Sequence, residues 1–406
     1  MVTAIVSALC AAEILTMSAF AMFPALQPLL RAEWGLSNTA AGWITGAYYL
    51  AYMLAVPVLT GLTDRVDARR VWLVAAAVAA CAALGFGTIA KGFWSAFACQ
   101  FAAGVSLAGT FMPGMKLLAD RTEGPRQARY ISFYTTSFTI GSSLSFYTVG
   151  ALAEWLGWRT ALVTLAAGPA LAAMIVASTV PGGPSHAVTW DLLRGLHFGA
   201  VLRSAPAMRY IYAYMAHMWE LFSMRAWLVP FLSFSQAMHG HTGLRPTTVA
   251  AMIALLGVPS SIAGNELAAR LGRERVIPFV MAVALALSVL VGFSTPMPWT
   301  FVVLACAAYS VTINGDSAAL TSGLVATAPP AVRGAAMAIH SMLGFAAAFG
   351  GGRCDEPREP GGPGEGARHS LEEARSVEQV DRVGEPERHR RHGHDRESDQ
   401  QRRPHP

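Results

Sequence analysis

A chain of 406 residues with 53 % hydrophobic and only 14 % charged side chains is too apolar for a string of soluble domains, which carry about 25 % charge. Its net charge of +5 comes from arginines scattered between apolar runs, which argues against a nucleic-acid surface and fits orientation in a membrane. The charge is unevenly placed: residues 351–406 hold 24 of the 55 charged side chains and no aromatic residue, leaving 19 Lys/Arg against 12 Asp/Glu in the first 350.

A membrane-crossing helix needs about 20 mostly apolar residues, because hydrocarbon offers the backbone no hydrogen-bond partner. Such runs fall near 5–30, 39–61, 71–91, 94–118, 129–152, 158–180, 208–235, 247–269, 276–294, 298–326 and 331–351. The N-terminus lacks the basic segment and small-residue cleavage site of a signal peptide, so the first run is expected to remain as a helix. Polar punctuation separates the runs at Arg31–Ser37, Thr63–Arg70, Asp120–Gln127, Glu154–Arg159, Arg270–Arg275 and Pro329–Arg333. If the helices alternate, one side gathers Arg65, Arg69, Arg70, Arg121, Arg126, Arg129, Arg194, Arg203, Arg209, Arg270, Arg273, Arg275, Arg333 and Lys116. The other side receives Arg31, Lys91, Arg159 and Arg245. A split of 14 to 4 predicts a cytoplasmic N-terminus.

The longest connection opens with Pro181-Gly182-Gly183-Pro184, turns amphipathic, and divides the chain after the sixth run. It predicts an N-terminal six-helix bundle over 1–180, a cytoplasmic linker over 181–207 and a C-terminal bundle over 208–350. The loops after runs two and eight align when Arg65 is set on Arg270 and Arg70 on Arg275, an interval of 205 residues. A repeat of that length is what paired transporter halves carry. The five cysteines show no C-x-x-C or metal spacing, and no phosphate-binding loop or nucleophile motif is present. An enzyme, a cofactor and a metal are therefore not expected.

These features resemble the major facilitator superfamily. Asp64, Arg65, Arg69 and Arg70 fit that family's loop motif between spans two and three, although Asp67 replaces a glycine and Gly61 is displaced by one position. Residues 264–275 fall where the family carries a second copy, and Trp34-Gly35-Leu36-Ser37 and Gly157-Trp158-Arg159 are also family-like. The resemblance implies an all-α, two-bundle membrane transporter with about 11 spans here and a twelfth missing. It implies a conformational gate built from Asp64, Arg65, Arg69, Arg70, Arg270, Arg273 and Arg275, with Asp64 facing a helix start at Pro329-Pro330-Ala331. The alternative is that these charges only orient the loop. Residues 109–116 and 217–225 look like a bacterial branch grouped with nitrate/nitrite and cyanate transporters. The Gly-Asn-rich signature of nitrate carriers and the Gly-Pro-rich motif of drug antiporters are both absent. Gln100 stands where many proton-coupled members have an arginine.

Charged groups at membrane depth are costly and usually face a protein-lined or wet interior. His217 and Glu220 share one face of the seventh span, while Arg225 lies too far round the helix to pair with Glu220. Arg225 would suit an anionic substrate and Glu220 or His217 a coupling proton; a fixed polar network between helices stands as the other reading. Asn314 and Asp316 at the centre of the tenth span are candidate pathway residues, with Gly315 between them permitting close approach. Tyr52 and Lys116 join the candidates, although Lys116 can also pair with Asp120 four residues on. Glu13 and His340 are single polar residues for which helix–helix hydrogen bonding is the simpler reading.

Beyond Gly351, Glu, Arg, Gly, Pro and His dominate, and solvated disorder is the expectation. The abrupt loss of apolar periodicity inside a helix suggests an out-of-frame reading over 351–406, which sequencing the source DNA would test. The expected partners are a small-molecule substrate, a coupling ion and the lipid bilayer. The expected state is a monomer in a bacterial cytoplasmic (inner) membrane. A transport-inactive product or a non-transporting binding protein is the alternative function.

Overall fold

The computed structural model describes residues 2–63, 65–122, 125–183, 198–240, 243–328 and 333–352. Expectations for Asp64, Arg194, Pro329-Pro330-Ala331 and the tail from Arg353 fall outside them. The chain runs α1 (Val2–Thr16), a 3-10 turn (Met17–Ala19), α2 (Gln27–Trp34), α3 (Asn38–Leu62), α4 (Ala68–Ile89) and α5 (Phe93–Ala119). It continues with α6 (Pro125–Leu156), α7 (Trp158–Leu165), α8 (Ala167–Thr179), α9 (Phe198–Leu202) and α10 (Ala205–Met238). The last are α11 (Pro246–Leu255), α12 (Gly257–Leu271), α13 (Arg273–Gly292), α14 (Trp299–Thr327) and α15 (Arg333–Gly351). Among the described residues there is no strand.

Every apolar run lies on helix, but three runs are broken. The first, expected over 5–30, is regular only to Thr16, tightens through the 3-10 turn, and resumes as α2. Pro24 and Pro28 supply no backbone N–H within that stretch, so the regular ladder cannot run through it. The sixth run divides at Ala166 because Pro169 has no N–H to offer the carbonyl of Leu165. The eighth divides at Leu256, where Pro259 leaves Leu255 in the same position. The linker expected over 181–207 contains α9 and ends earlier, at the start of α10.

Eight segments among the described residues are long and apolar enough to cross a membrane, counting α1 with its 3-10 turn, α7–α8 and α11–α12 as one each. The other three runs are α6, laced with Ser and Thr, α10, which carries Arg209, Glu220 and Arg225, and α15, whose apolar stretch Ala335–Gly351 is short. Local signals set the ends. Ser37 Oγ accepts the Ala40 N–H at 3.1 Å to cap α3, and Asp67 accepts the Arg69 N–H at 3.0 Å to cap α4. Gly35, at φ 61°, closes α2 in a left-handed conformation open to glycine.

The 205-residue interval is visible in the helices. It carries Ala68–Ile89 onto the position of α13, Phe93–Ala119 onto α14, and the α1–α2 stretch onto α10. Within each half, small residues let backbones touch. A Cβ at Gly104 would lie 2.8 Å from Ala51 Cβ, and one at Gly264 would lie 2.8 Å from Gly315 Cα. Large apolar side chains such as Val74, Phe279 and Leu304 point outward, as a lipid-facing surface requires.

The two ends differ. Near the arginine-rich loops each half has its own apolar cores: Leu9, Trp72, Leu118 and Val176 in the N-terminal half, and Ile211, Leu324 and Ala336, with Ile277 and Leu320 beside them, in the C-terminal half. Toward the opposite end one core holds residues of both halves, among them Ile44, Tyr49, Phe222 and Phe345. There α3 packs on α15 and α6 on α11. Gly46 takes the Phe349 ring, Gly150 takes Thr247, and Glu154 pairs with Arg245.

Candidate functional site

The polar residues of the C-terminal half converge from three helices. His217 of α10 is 1 % exposed and Asp316 of α14 is 3 % exposed. Their Nδ1 and Oδ1 atoms stand 2.8 Å apart, at ion-pair distance but misaligned for a hydrogen bond. His217 Nε2 has no hydrogen-bond partner. His340 of α15 stacks on Tyr214 with ring centres 3.6 Å apart, and Tyr214 in turn lies 5.7 Å from the His217 ring. Thr321 Oγ1 and His340 Nε2 are 3.4 Å apart. Asn314 donates to the Ser310 carbonyl at 2.8 Å and presses its amide against Gly257.

Glu220 lies beside this cluster, close enough to feel the charges of His217 and Asp316, and bonds to the Tyr309 hydroxyl of α14. Arg225 lies at the seam between the halves. It is 7 % exposed, its guanidinium sits 5.5 Å from the Phe222 ring, and Nη1 is buried without a hydrogen-bond partner. Tyr49 of α3 packs on the same Phe222 ring at 4.5 Å, and Tyr52 stacks on Phe345 at 3.8 Å. Arg225 and Tyr52 therefore share one aromatic wall contributed by both halves.

The remaining candidates lie apart. Gln100 is buried in α5 with Oε1 unpartnered. Lys116 pairs with Asp120 at 3.7 Å near the arginine-rich end. Among the gate residues, Arg70 and Arg275 are exposed, Arg65 is half-buried, and Arg270 pairs with Glu266 at 2.7 Å. Arg273 donates to Ser322 at 3.3 Å. Arg69 donates to the Ala177 carbonyl at 2.5 Å, and Arg121 donates to the Pro181 carbonyl at 2.8 Å.

Two features were not read from the sequence, and a third was read there without its partner. Asp67, seen there only as a departure from the motif, caps α4 and also accepts the Gly183 N–H at 2.8 Å, so it pins the chain leaving the N-terminal half. The pairing of Glu154 with Arg245 joins the halves at the arginine-poor end. Glu13, 0 % exposed, meets the Tyr134 hydroxyl of α6 at 2.7 Å. This is a helix–helix hydrogen bond of the kind expected for Glu13.

A helical membrane body whose two related halves meet at an aromatic seam holding a buried arginine has a transporter fold. The model of the family described as Major Facilitator Superfamily matches residues 8–352. The chain belongs to that superfamily, and its fold is that of a multi-pass membrane transporter. A similar curated protein is the "MFS-type transporter clz19" of Cochliobolus lunatus, 28 % identical over 149 residues, which are 37 % of this chain and 28 % of that one. Among solved structures the chain is similar to a bacterial homolog of the human lysosomal transporter Spinster, inward-facing and unoccupied. The TM-score is 0.68 at 16 % identity, covering 86 % of this chain and 80 % of that chain. A nucleoside transporter NupG mutant gives TM-score 0.68 at 15 % identity, with 86 % and 90 % covered. A POT family transporter in complex with 5-aminolevulinic acid gives 0.69 at 11 %, with 86 % and 89 % covered. At these identities the likeness is one of fold.

Proposed function

We propose that this chain carries a small anion across a bacterial inner membrane by alternating access, with proton coupling. The N-terminal bundle over 1–180 and the C-terminal bundle over 208–350 rock as units about a linker over 181–207. The arginine-rich end faces the cytoplasm by the positive-inside asymmetry, which places the N-terminus inside. With the halves joined at the arginine-poor end, the described conformation is then the inward-facing one.

The observation that carries the anion reading is Arg225. A buried guanidinium with an unpartnered nitrogen, at a seam both halves build, offers a planar fork for a carboxylate or oxyanion. Tyr49, Tyr52, Phe222 and Phe345 would exclude water around it and strengthen the contact. His217 and Asp316, 2.8 Å apart between α10 and α14, carry the coupling proton in this reading. Arg69, Arg70, Arg270, Arg273 and Arg275 act at the inward end, where the halves must meet when the cycle turns.

Gradient-driven uptake into vesicles tests this, with nitrate, nitrite, cyanate and small organic acids as the panel. Saturable uptake of one anion, reduced at least tenfold in Arg225→Gln and retained in part in Arg225→Lys, is expected. Uptake indifferent to Arg225→Gln would remove the anion site, and no saturable uptake from any member would favour a transport-inactive product.

A further inference from the structure

The interval that relates the halves also relates their buried chemistry. In the N-terminal half Glu13 of α1, the Thr110 carbonyl of α5 and Tyr134 of α6 meet. In the C-terminal half His217 of α10, Asp316 of α14 and His340 of α15 gather. The paired residues are 204, 206 and 206 positions apart, each within one residue of the repeat interval. We propose that each half carries its own proton-binding cluster, and that Glu13 is the proton site of the N-terminal half. Only the count of two rests on the His217–Asp316 reading; the assignment of Glu13 stands on its own contacts.

A hydrogen inventory supports it. Tyr134 Oη lies 2.7 Å from Glu13 Oε2, 3.0 Å from the Thr110 carbonyl and 3.5 Å from Trp72 Nε1. The phenol has one hydrogen, the carbonyl can only accept, and an ionised carboxylate can only accept. With Glu13 ionised, one of the two short oxygen contacts holds no hydrogen. With Glu13 protonated, its hydroxyl donates to Tyr134, Tyr134 donates to Thr110, and every contact is filled. Binding a proton at Glu13 Oε2 thus turns the Tyr134 hydroxyl toward α5, joining α1, α6 and α5. Releasing it turns the hydroxyl back to Glu13 and leaves the Thr110 carbonyl without that donor.

The surroundings leave the proton as the natural ligand. Glu13 makes no ion pair among the described residues, and its Oε1 has no hydrogen-bond partner. The titratable groups near it are Cys10 on its own helix, Tyr134, and Tyr48 and Tyr52 of α3. From α8 no titratable side chain is available, and α4 presents the Trp72 indole. The cations of α4 and α5 are engaged or exposed at the arginine-rich end: Arg69 on Ala177, Lys116 on Asp120, and Arg70 at the surface. A small, mostly apolar cavity whose polar lining is Thr16, Tyr48 and Ser106 begins one turn along α1 from Glu13.

Infrared pH titration of the full chain in phosphatidylethanolamine/phosphatidylglycerol vesicles tests this without any substrate, so it stands or falls apart from the anion reading. The expected result is a buried carboxyl band whose intensity changes with pH. The band is lost in Glu13→Gln and kept in Asp316→Asn. In Tyr134→Phe, which leaves the carboxyl in place but removes its partner, the proton affinity should change about tenfold. A titrating band unaltered by Glu13→Gln, or a Glu13 band constant at every pH, overturns the proposal. Should Glu13→Gln fail to fold, an unshifted band in Tyr134→Phe overturns it equally.

Discussion

At the arginine-poor end the two halves share one apolar core, and at the arginine-rich end each keeps its own. The contrast teaches where the energy of the described conformation is held. The shared core is aromatic and glycine-lined, with Phe349 seated over Gly46 and Phe345 stacked on Tyr52, and the buried Arg225 lies against its Phe222 ring. The ion pair there, Glu154 with Arg245, is well exposed and supplies direction more than strength.

Breaking the shared core should have the largest effect. Phe345→Ala removes a buried ring that touches Tyr49, Tyr52 and Phe222, and should lower stability in detergent by about 3–5 kcal/mol. The loss should be read by thermal unfolding, together with easier labelling of a cysteine placed at Trp43. The arginine-rich end should respond differently. Asp67→Ala removes a helix cap and the Gly183 contact, costing about 1–2 kcal/mol while labelling at position 43 stays unchanged. The smallest effect belongs to Glu154→Gln, expected at under about 1 kcal/mol and diminished further by salt. A large, salt-insensitive loss from Glu154→Gln would mean that the ion pair, and not the aromatic core, holds this end together.

Apolar length alone made the helical runs legible, because each run had to satisfy its own backbone. The breaks were not legible from proline alone, since Pro169 and Pro259 follow breaks while Pro57, Pro113 and Pro230 lie inside unbroken helices. Partnerships were the least legible part. His217 and Asp316 lie 99 residues apart, and nothing in either helix's own pattern points to the other. The separation of Glu220 from Arg225 followed from helical geometry, whereas the Tyr309 hydroxyl that Glu220 meets did not. The close approach at Gly315 was legible as a possibility, but which backbone fills it, that of Gly264, was not.

Asp67, Arg69 and Arg121 fasten the chain from Ala177 to Gly183 onto the N-terminal half, so the connection between the halves is shorter than the linker's length suggests. From Gly183 to the start of α9 at Phe198 the chain can reach at most about 50 Å when fully extended. That leash bounds the excursion of the two arginine-rich ends. Deleting residues within it would limit the travel of the cycle without touching any group that meets the solute.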